Sequence, residues 1–176
     1  MEIRNKNILF SKEQIRSRVS ELADSISRDY FNCDLVLIGI LKGAFIFMAD
    51  LVRCLKVPCI IDFVSVASYG SGSTSSGTVV VKKDIETMIE GRDVLIVEDI
   101  IDTGITLRFL YEKLQERKPK SLKVCAFLDK RARRKVEFEA DYVGFTIDNG
   151  FVVGYGLDFN EMSRFHPEVY LVDEGE

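Results

Sequence analysis

Several of the commoner routes to function are closed to this chain by what it lacks. It has one histidine in 176 residues, His166, and no convincing triad forms around it, so no catalytic role is expected there. Its four cysteines, Cys33, Cys54, Cys59 and Cys125, are scattered without a CxxC pair. Disulfides or zinc would be the functional reading. Reduced thiols packed as small hydrophobes are the expectation, as in a cytoplasmic protein. Positive charge is not in excess, with 24 Lys and Arg against 28 Asp and Glu and a net charge of −4. There is thus no overall basic field for nucleic acid or an anionic membrane, and an anionic small molecule would need a local basic site or a metal bridge. The N-terminus shows no basic-then-apolar pattern of a signal peptide. The most apolar stretch, residues 36–52, is broken by Lys42 and Asp50, which argues against a membrane span. A GxxxxGK[ST] loop and internal repeats are also missing.

What is present reads as one globular domain, with 47% apolar and 30% charged residues. Ser11 and Gln14 form a capping-box pattern that opens a helix to about Tyr30, with Ile15, Val19, Leu22 and Ile26 on one face. Residues 34–40 form a continuous apolar run of strand length, the pattern of a strand covered on both faces. A buried helix is expected over 43–55, and strands over 59–69, 78–84, 93–99, 121–129 and 141–147. Leu107, Leu110 and Leu114 mark a helix that ends near Lys118-Pro119. Glycine-punctuated residues 149–161 read as loop and short strand. This alternation predicts an α/β fold: a mostly parallel twisted sheet with helices on both faces. The core is expected over about 34–147, with a small cap or hood from the chain ends, about 1–15 and 148–176. Between the strands at 59–69 and 78–84 lies a run of only Gly, Ser and Thr, residues 70–77. Short flanking strands argue against a domain boundary, and a hairpin loop of this length predicts a mobile lid over about 68–78.

The most informative stretch is VLIVEDIIDTGIT, residues 94–106. An apolar strand runs into Glu98, Asp99 and Asp102, and concentrated negative charge there is unfavourable unless a cation or hydroxyl-rich group joins it. Ligands of open α/β sheets bind beyond the carboxyl ends of the strands. The turn at 102–106 then enters a helix N-terminus, whose free N–H groups and dipole hold an anion. Gly104 permits close backbone approach, and Thr103 and Thr106 offer hydroxyls. One end suits a phosphate and the other suits hydroxyls or a metal, which is the chemistry of a sugar phosphate. A magnesium-binding receiver domain would carry such an acidic pair near its start, with more chain behind it than the residues that follow here. A plain polar strand end with an ordinary helix cap is the other reading.

VLIVEDIIDTGIT resembles the phosphoribosyl-pyrophosphate (PRPP) motif of the type I phosphoribosyltransferases. ILKGAF (40–45), ASYGSG (67–72), LDKR (128–131) and GFVVGYGLDFNEMSRF (150–165) are similar, in order, to further segments of the hypoxanthine-guanine branch. The resemblance implies transfer of phosphoribose from PRPP to N9 of hypoxanthine or guanine, giving IMP or GMP and pyrophosphate, with Mg²⁺. It implies that Glu98 and Asp99 lie beside the ribose hydroxyls, directly or through Mg²⁺, and that Asp102, Thr103, Gly104, Ile105 and Thr106 hold the 5′-phosphate. Asp102 is then the acid/base next to purine N7. Ile105 is apolar where the family is often polar, a small loss if only its N–H contributes. Lys42, Gly43 and Arg164 would meet pyrophosphate, and the family's Leu-Lys peptide can be cis at the position of Leu41-Lys42. Lys130 would recognise purine O6, Phe151 would stack on the base beside Val152, and Asp158 would serve the base site and a second magnesium. Ser68 and Tyr69 would close over the site as its lid. The resemblance also implies a homodimer or homotetramer. Each residue has a plainer reading: a solvated lysine for Lys42, core packing for Phe151, surface ion pairs for Asp158 and Arg164, and a solvated turn for the basic run 130–135. That run alone favours an RNA-binding, nucleotide-sensing regulator on the same fold, a reading opposed by the net acidity. PRPP synthesis would need a much longer chain.

Overall fold

Runs of β-branched and leucine residues too continuous for one wet face become the interior of the fold. The computed structural model describes residues 6–69 and 78–172. In chain order the elements are β1 (Lys6–Phe10), α1 (Lys12–Asp29), β2 (Leu35–Leu41), α2 (Phe45–Cys54), β3 (Cys59–Tyr69), β4 (Thr78–Lys83) and β5 (Asp93–Ile101). They continue with α3 (Ile105–Gln115), β6 (Ser121–Lys130), β7 (Tyr142–Ile147), β8 (Phe151–Val153) and β9 (Val169–Val172). Six strands form one sheet in the order β4-β3-β2-β5-β6-β7, parallel except for the antiparallel edge pair β3–β4. Helices cover both faces, as expected. Ile15, Val19, Leu22 and Ile26 of α1 join Phe47, Met48 and Leu51 of α2 in one buried cluster, while Leu107, Leu110 and Leu114 of α3 anchor the other.

The capping box expected at Ser11 forms in full: its hydroxyl accepts the Gln14 N–H at 3.3 Å, and its own N–H donates to Gln14 Oε1 at 2.8 Å. Helix α3 stops at Gln115, earlier than the proline at 119 suggests, because Lys118 takes φ 53° and turns the chain toward β6.

The ends of the chain are more regular than their sequence suggests. Strands β1, β9 and β8 form a second, antiparallel sheet with β9 in the middle. Phe10 stacks on Phe145 of β7 at 4.0 Å between ring centroids, and Tyr155 packs on Phe127 of β6 at 4.7 Å. These contacts seat the small sheet against the large one near the carboxyl ends of β6 and β7. Residues 70–77, with most of the expected lid, lie outside the described residues. Ser68 and Tyr69 pair in backbone register with Val79 and Thr78.

Candidate active site

Strand β5 delivers the acidic pair. It runs two residues beyond the expected end, so Glu98 and Asp99 still belong to the strand, with Glu98 in register with Ala126 and Ile100 with Leu128 of β6. Glu98 is only 8% exposed. Its Oε1 accepts the Asp99 N–H at 3.1 Å, and Asp99 Oδ1 accepts the Ile100 N–H at 2.8 Å. Burial pushes the Glu98 carboxyl well above the ordinary carboxylate range, and the charge of Asp99 adds to the rise. Burial also raises Asp99, against which a hydrogen bond from Glu98 and the charge of Arg164 work. Both shifts disfavour two full negative charges side by side, a cost that a nearby cation would relieve.

Residues distant in sequence close around that pair. A Cβ built on Gly43 would lie 1.6 Å from Asp99 Oδ2, so only a glycine lets the loop after β2 rest on this carboxylate. A Cβ on Gly156, where φ is 97°, would lie 2.2 Å from the Gly43 carbonyl oxygen. The Leu41–Lys42 peptide is cis, the geometry that the resemblance allowed. Lys42 Nζ contacts Glu161 at 2.7 Å. Arg164 donates to the Gly156 carbonyl at 2.7 Å and pairs with Asp158 at 2.8 Å and Glu161 at 3.6 Å. Lys42, Gly43, Asp99, Asp158 and Arg164 are thus joined through direct contacts and through Gly156 and Glu161.

The turn at 102–106 follows. Gly104 has φ 80° and precedes α3, which has no side-chain cap hydrogen bond and no acidic residue in its first turn. Thr103 Oγ1 reaches the Ile105 N–H at a long 3.4 Å. Helix N–H groups without a capping carboxylate suit an external anion. Thr106 is partly exposed on the same first turn. Asp102 Oδ2 lies 3.3 Å from Arg133, while its Oδ1 is buried and has no hydrogen-bond partner. A buried carboxylate oxygen left unsatisfied has room for a hydrogen-bond donor from outside the chain.

Lys130 is 7% exposed and donates to the Gly150 carbonyl at 2.8 Å, which ties β6 to the start of β8. Lys130 and Phe151 line a cavity of about 420 Å³ together with Arg133 and Asn149. Phe151 meets Phe159 edge to face at 5.5 Å, and Val152 is buried in the core. Arg133 therefore bridges this cavity and Asp102. Asp158 has both oxygens engaged, one by Arg164 and the other by the Glu161 N–H at 2.8 Å.

Glu161 is not singled out by sequence reasoning, and Arg133 and Arg134 are read there only as part of the basic run 130–135. Within the basic run 130–135, Arg131 and Arg134 pair with Asp129, and Arg133 pairs with Asp102. Among the described residues, no three His, Cys, Asp or Glu side chains converge to hold a metal ion. Mg²⁺ commonly takes only one or two carboxylates, with the rest of its ligands from water and substrate phosphates. Glu98 and Asp99, adjacent and raised by burial, fit that donor set.

The chain matches the family model described as a phosphoribosyl transferase domain over residues 7–160. It is 49% identical over 176 residues to a hypoxanthine-guanine phosphoribosyltransferase of Aquifex aeolicus, covering 98% of this chain and 99% of that one. A solved hypoxanthine-guanine phosphoribosyltransferase of Bacillus anthracis, with a HEPES molecule in its active site, superposes with a TM-score of 0.91 at 47% identity, covering 97% and 99% of the two chains. A Staphylococcus aureus hypoxanthine phosphoribosyltransferase gives 0.91 at 44% identity, covering 94% and 90%.

Proposed function

The chain belongs to the phosphoribosyl transferase family, and from that premise we propose that it transfers the 5-phosphoribosyl group of PRPP to N9 of hypoxanthine, guanine or both, giving IMP or GMP and pyrophosphate. The observation that carries the mechanism is the unpartnered, buried Asp102 Oδ1 at the head of a helix-entry turn. As N9 forms its bond to C1′, pyrophosphate leaves with the electrons of the C1′–O bond, and Asp102 takes the proton that purine N7 gives up. The N–H groups and hydroxyls of Asp102, Thr103, Gly104, Ile105 and Thr106 hold the 5′-phosphate. Glu98 and Asp99 face the ribose hydroxyls, where negative charge favours an oxocarbenium-like sugar in the transition state.

Lys42, the Gly43 backbone and Arg164 receive pyrophosphate. Glu98, Asp99 and, once released from Arg164, Asp158 are the groups that would hold Mg²⁺. Bound Mg²⁺ would supply charge neutralisation on the leaving diphosphate. Lys130 donates to purine O6, Phe151 and Val152 flank the base, and the backbone near Asp158 meets the C2 side. Ser68 and Tyr69, at the start of a lid over about 68–78, exclude water from the cationic transition state. The whole is one catalytic domain: a core at about 34–147, with the small sheet as its hood.

We read the enzyme as a cytoplasmic homodimer or homotetramer. Exposed Phe45 of α2 and Ile60 and Ile61 of β3 offer apolar surface for a second copy. Among the described residues no helix is long and apolar enough to cross a membrane. The test is an ultraviolet assay of PRPP and Mg²⁺ against hypoxanthine, guanine, xanthine and adenine. Conversion of hypoxanthine or guanine but not adenine is expected. No nucleotide from any of the four bases would overturn the proposal.

A further inference from the structure

Arg134 has no place in the roles above, yet it is the most heavily bonded side chain near the phosphate turn. Its side chain is 17% exposed and pairs through one terminal nitrogen with Asp129, a residue only 6% exposed. The other terminal nitrogen donates to the Phe138 carbonyl. Its Nε donates to the Asp102 carbonyl at 3.2 Å, and a terminal nitrogen reaches the Ile101 carbonyl at 3.5 Å. The next residue continues the pattern, since the Lys135 N–H donates to the Thr103 carbonyl at 2.9 Å. A Cβ on Gly104 would meet Val136 Cγ2 at 2.9 Å and Arg134 Cδ at 3.1 Å. The segment after β6 therefore lies directly against the back of the turn and takes three successive carbonyls, those of Ile101, Asp102 and Thr103.

A turn that offers its N–H groups to an anion leaves its carbonyls facing away, and those acceptors need donors of their own. Arg134 serves two of them from one rigid plane, with its charge balanced by buried Asp129. A lysine, with a single tetrahedral head, cannot span the same acceptors. Asp129 immediately precedes Lys130 on β6. One guanidinium thus links the turn proposed for the 5′-phosphate to the strand end that carries the lysine proposed for the purine.

The geometry points to Arg134 as a positioning residue: it fixes the 102–106 turn in its anion-binding form and couples that turn, through Asp129, to the purine side of the site. This inference rests on the assignment of the 5′-phosphate to that turn. Arg134→Lys and Asp129→Asn are compared with the full-length parent by calorimetry against ribose 5-phosphate and, separately, pyrophosphate. Arg134→Lys weakens ribose 5-phosphate about tenfold, the scale of a lost charged hydrogen bond, and leaves pyrophosphate within about twofold, because Lys42 and Arg164 are untouched. Asp129→Asn, which keeps the arginine but removes its counter-charge, shows the same selectivity to a smaller extent. Unchanged ribose 5-phosphate binding in both variants overturns the inference, as do equal losses for both ligands or a parent that does not bind ribose 5-phosphate. The parent's nucleotide formation tests the transferase reading separately: if it forms nucleotide while the variants bind normally, only the positioning role fails.

Discussion

Replacing Gly43 by alanine places one methyl group where it does most damage. The added Cβ falls 1.6 Å from Asp99 Oδ2 and 2.4 Å from its Cγ, whereas ordinary contact begins at 3.4 Å. Relief requires a displacement of about 1.8 Å between the loop and the carboxylate, the difference between the 3.4 Å contact limit and the 1.6 Å approach to Oδ2. Asp99 is anchored by the Ile100 N–H at 2.8 Å, and the Gly43 carbonyl is packed against Gly156. Neither side can yield without disturbing the acidic pair or the loop after β2. A misplacement of about 1 Å commonly costs about a hundredfold in rate, so Gly43→Ala should lose at least about a hundredfold in kcat/KM, or about 2.7 kcal/mol of transition-state stabilisation. The strain should also cost about 1–3 kcal/mol of stability, a fall of several degrees in melting temperature for a chain of this length. Initial-rate kinetics with PRPP and hypoxanthine, with circular dichroism to establish folding, measure both. A folded variant within fivefold of the parent would refute the idea that this close approach aligns the site.

Asp102→Asn should keep nucleotide binding but lower kcat by about 10²–10⁴, a split read by steady-state kinetics beside equilibrium IMP binding. Glu98→Gln should trade activity for stability. Because the folded Glu98 holds its proton well above the ordinary 4.5, its favourable contribution is complete below that value and is lost as pH rises through the folded pKa. The variant's melting temperature should therefore exceed the parent's at pH 8, with the gap closing toward pH 4.5; a constant gap in a thermal-shift series would contradict this. Glu161→Gln removes a carboxylate that contacts both Lys42 and Arg164. The Lys42–Glu161 pair is about two-thirds exposed on both sides, so stability should change by less than about 0.5 kcal/mol, while pyrophosphate should bind more tightly by calorimetry.

The interior of the fold was legible because its signals are local. The unbroken apolar runs of β2 and β5 and the Ser11–Gln14 box act within a few residues of themselves, and each forms within two residues of its expected bounds. Strands β1 and β9 escaped notice because each is short and gains its structure from the other, across the length of the chain. The acidic turn could be read as a ligand site because three carboxylates in five positions conflict with burial whatever the fold. Arg134 could not. In sequence it is one cation in a basic run; its meaning depends on a buried Asp129 and on carbonyls that only tertiary folding brings within reach. The resemblance assigns Gly43 to pyrophosphate, but its contact with Asp99 joins the loop after β2 to strand β5, and no spacing rule within either segment reveals it.

The placement of β9 between β1 and β8 sets an order of maturation. All six strands of the large sheet, and with them Lys42, the acidic pair and the phosphate turn, have been synthesised once the ribosome passes Ile147. Strand β8 is made next, but its sheet partner is β9, and Phe151 pairs with Val172. Strand β8, which carries the residues proposed to flank the base, therefore gains its sheet partner only when the chain reaches Val172. On the roles proposed above, a nascent chain acquires its sugar-phosphate half first and completes its base-reading half last, since domains generally fold from the N-terminal side during synthesis. A chain released before Val172 would carry every strand of the large sheet but lack the full partner of β8.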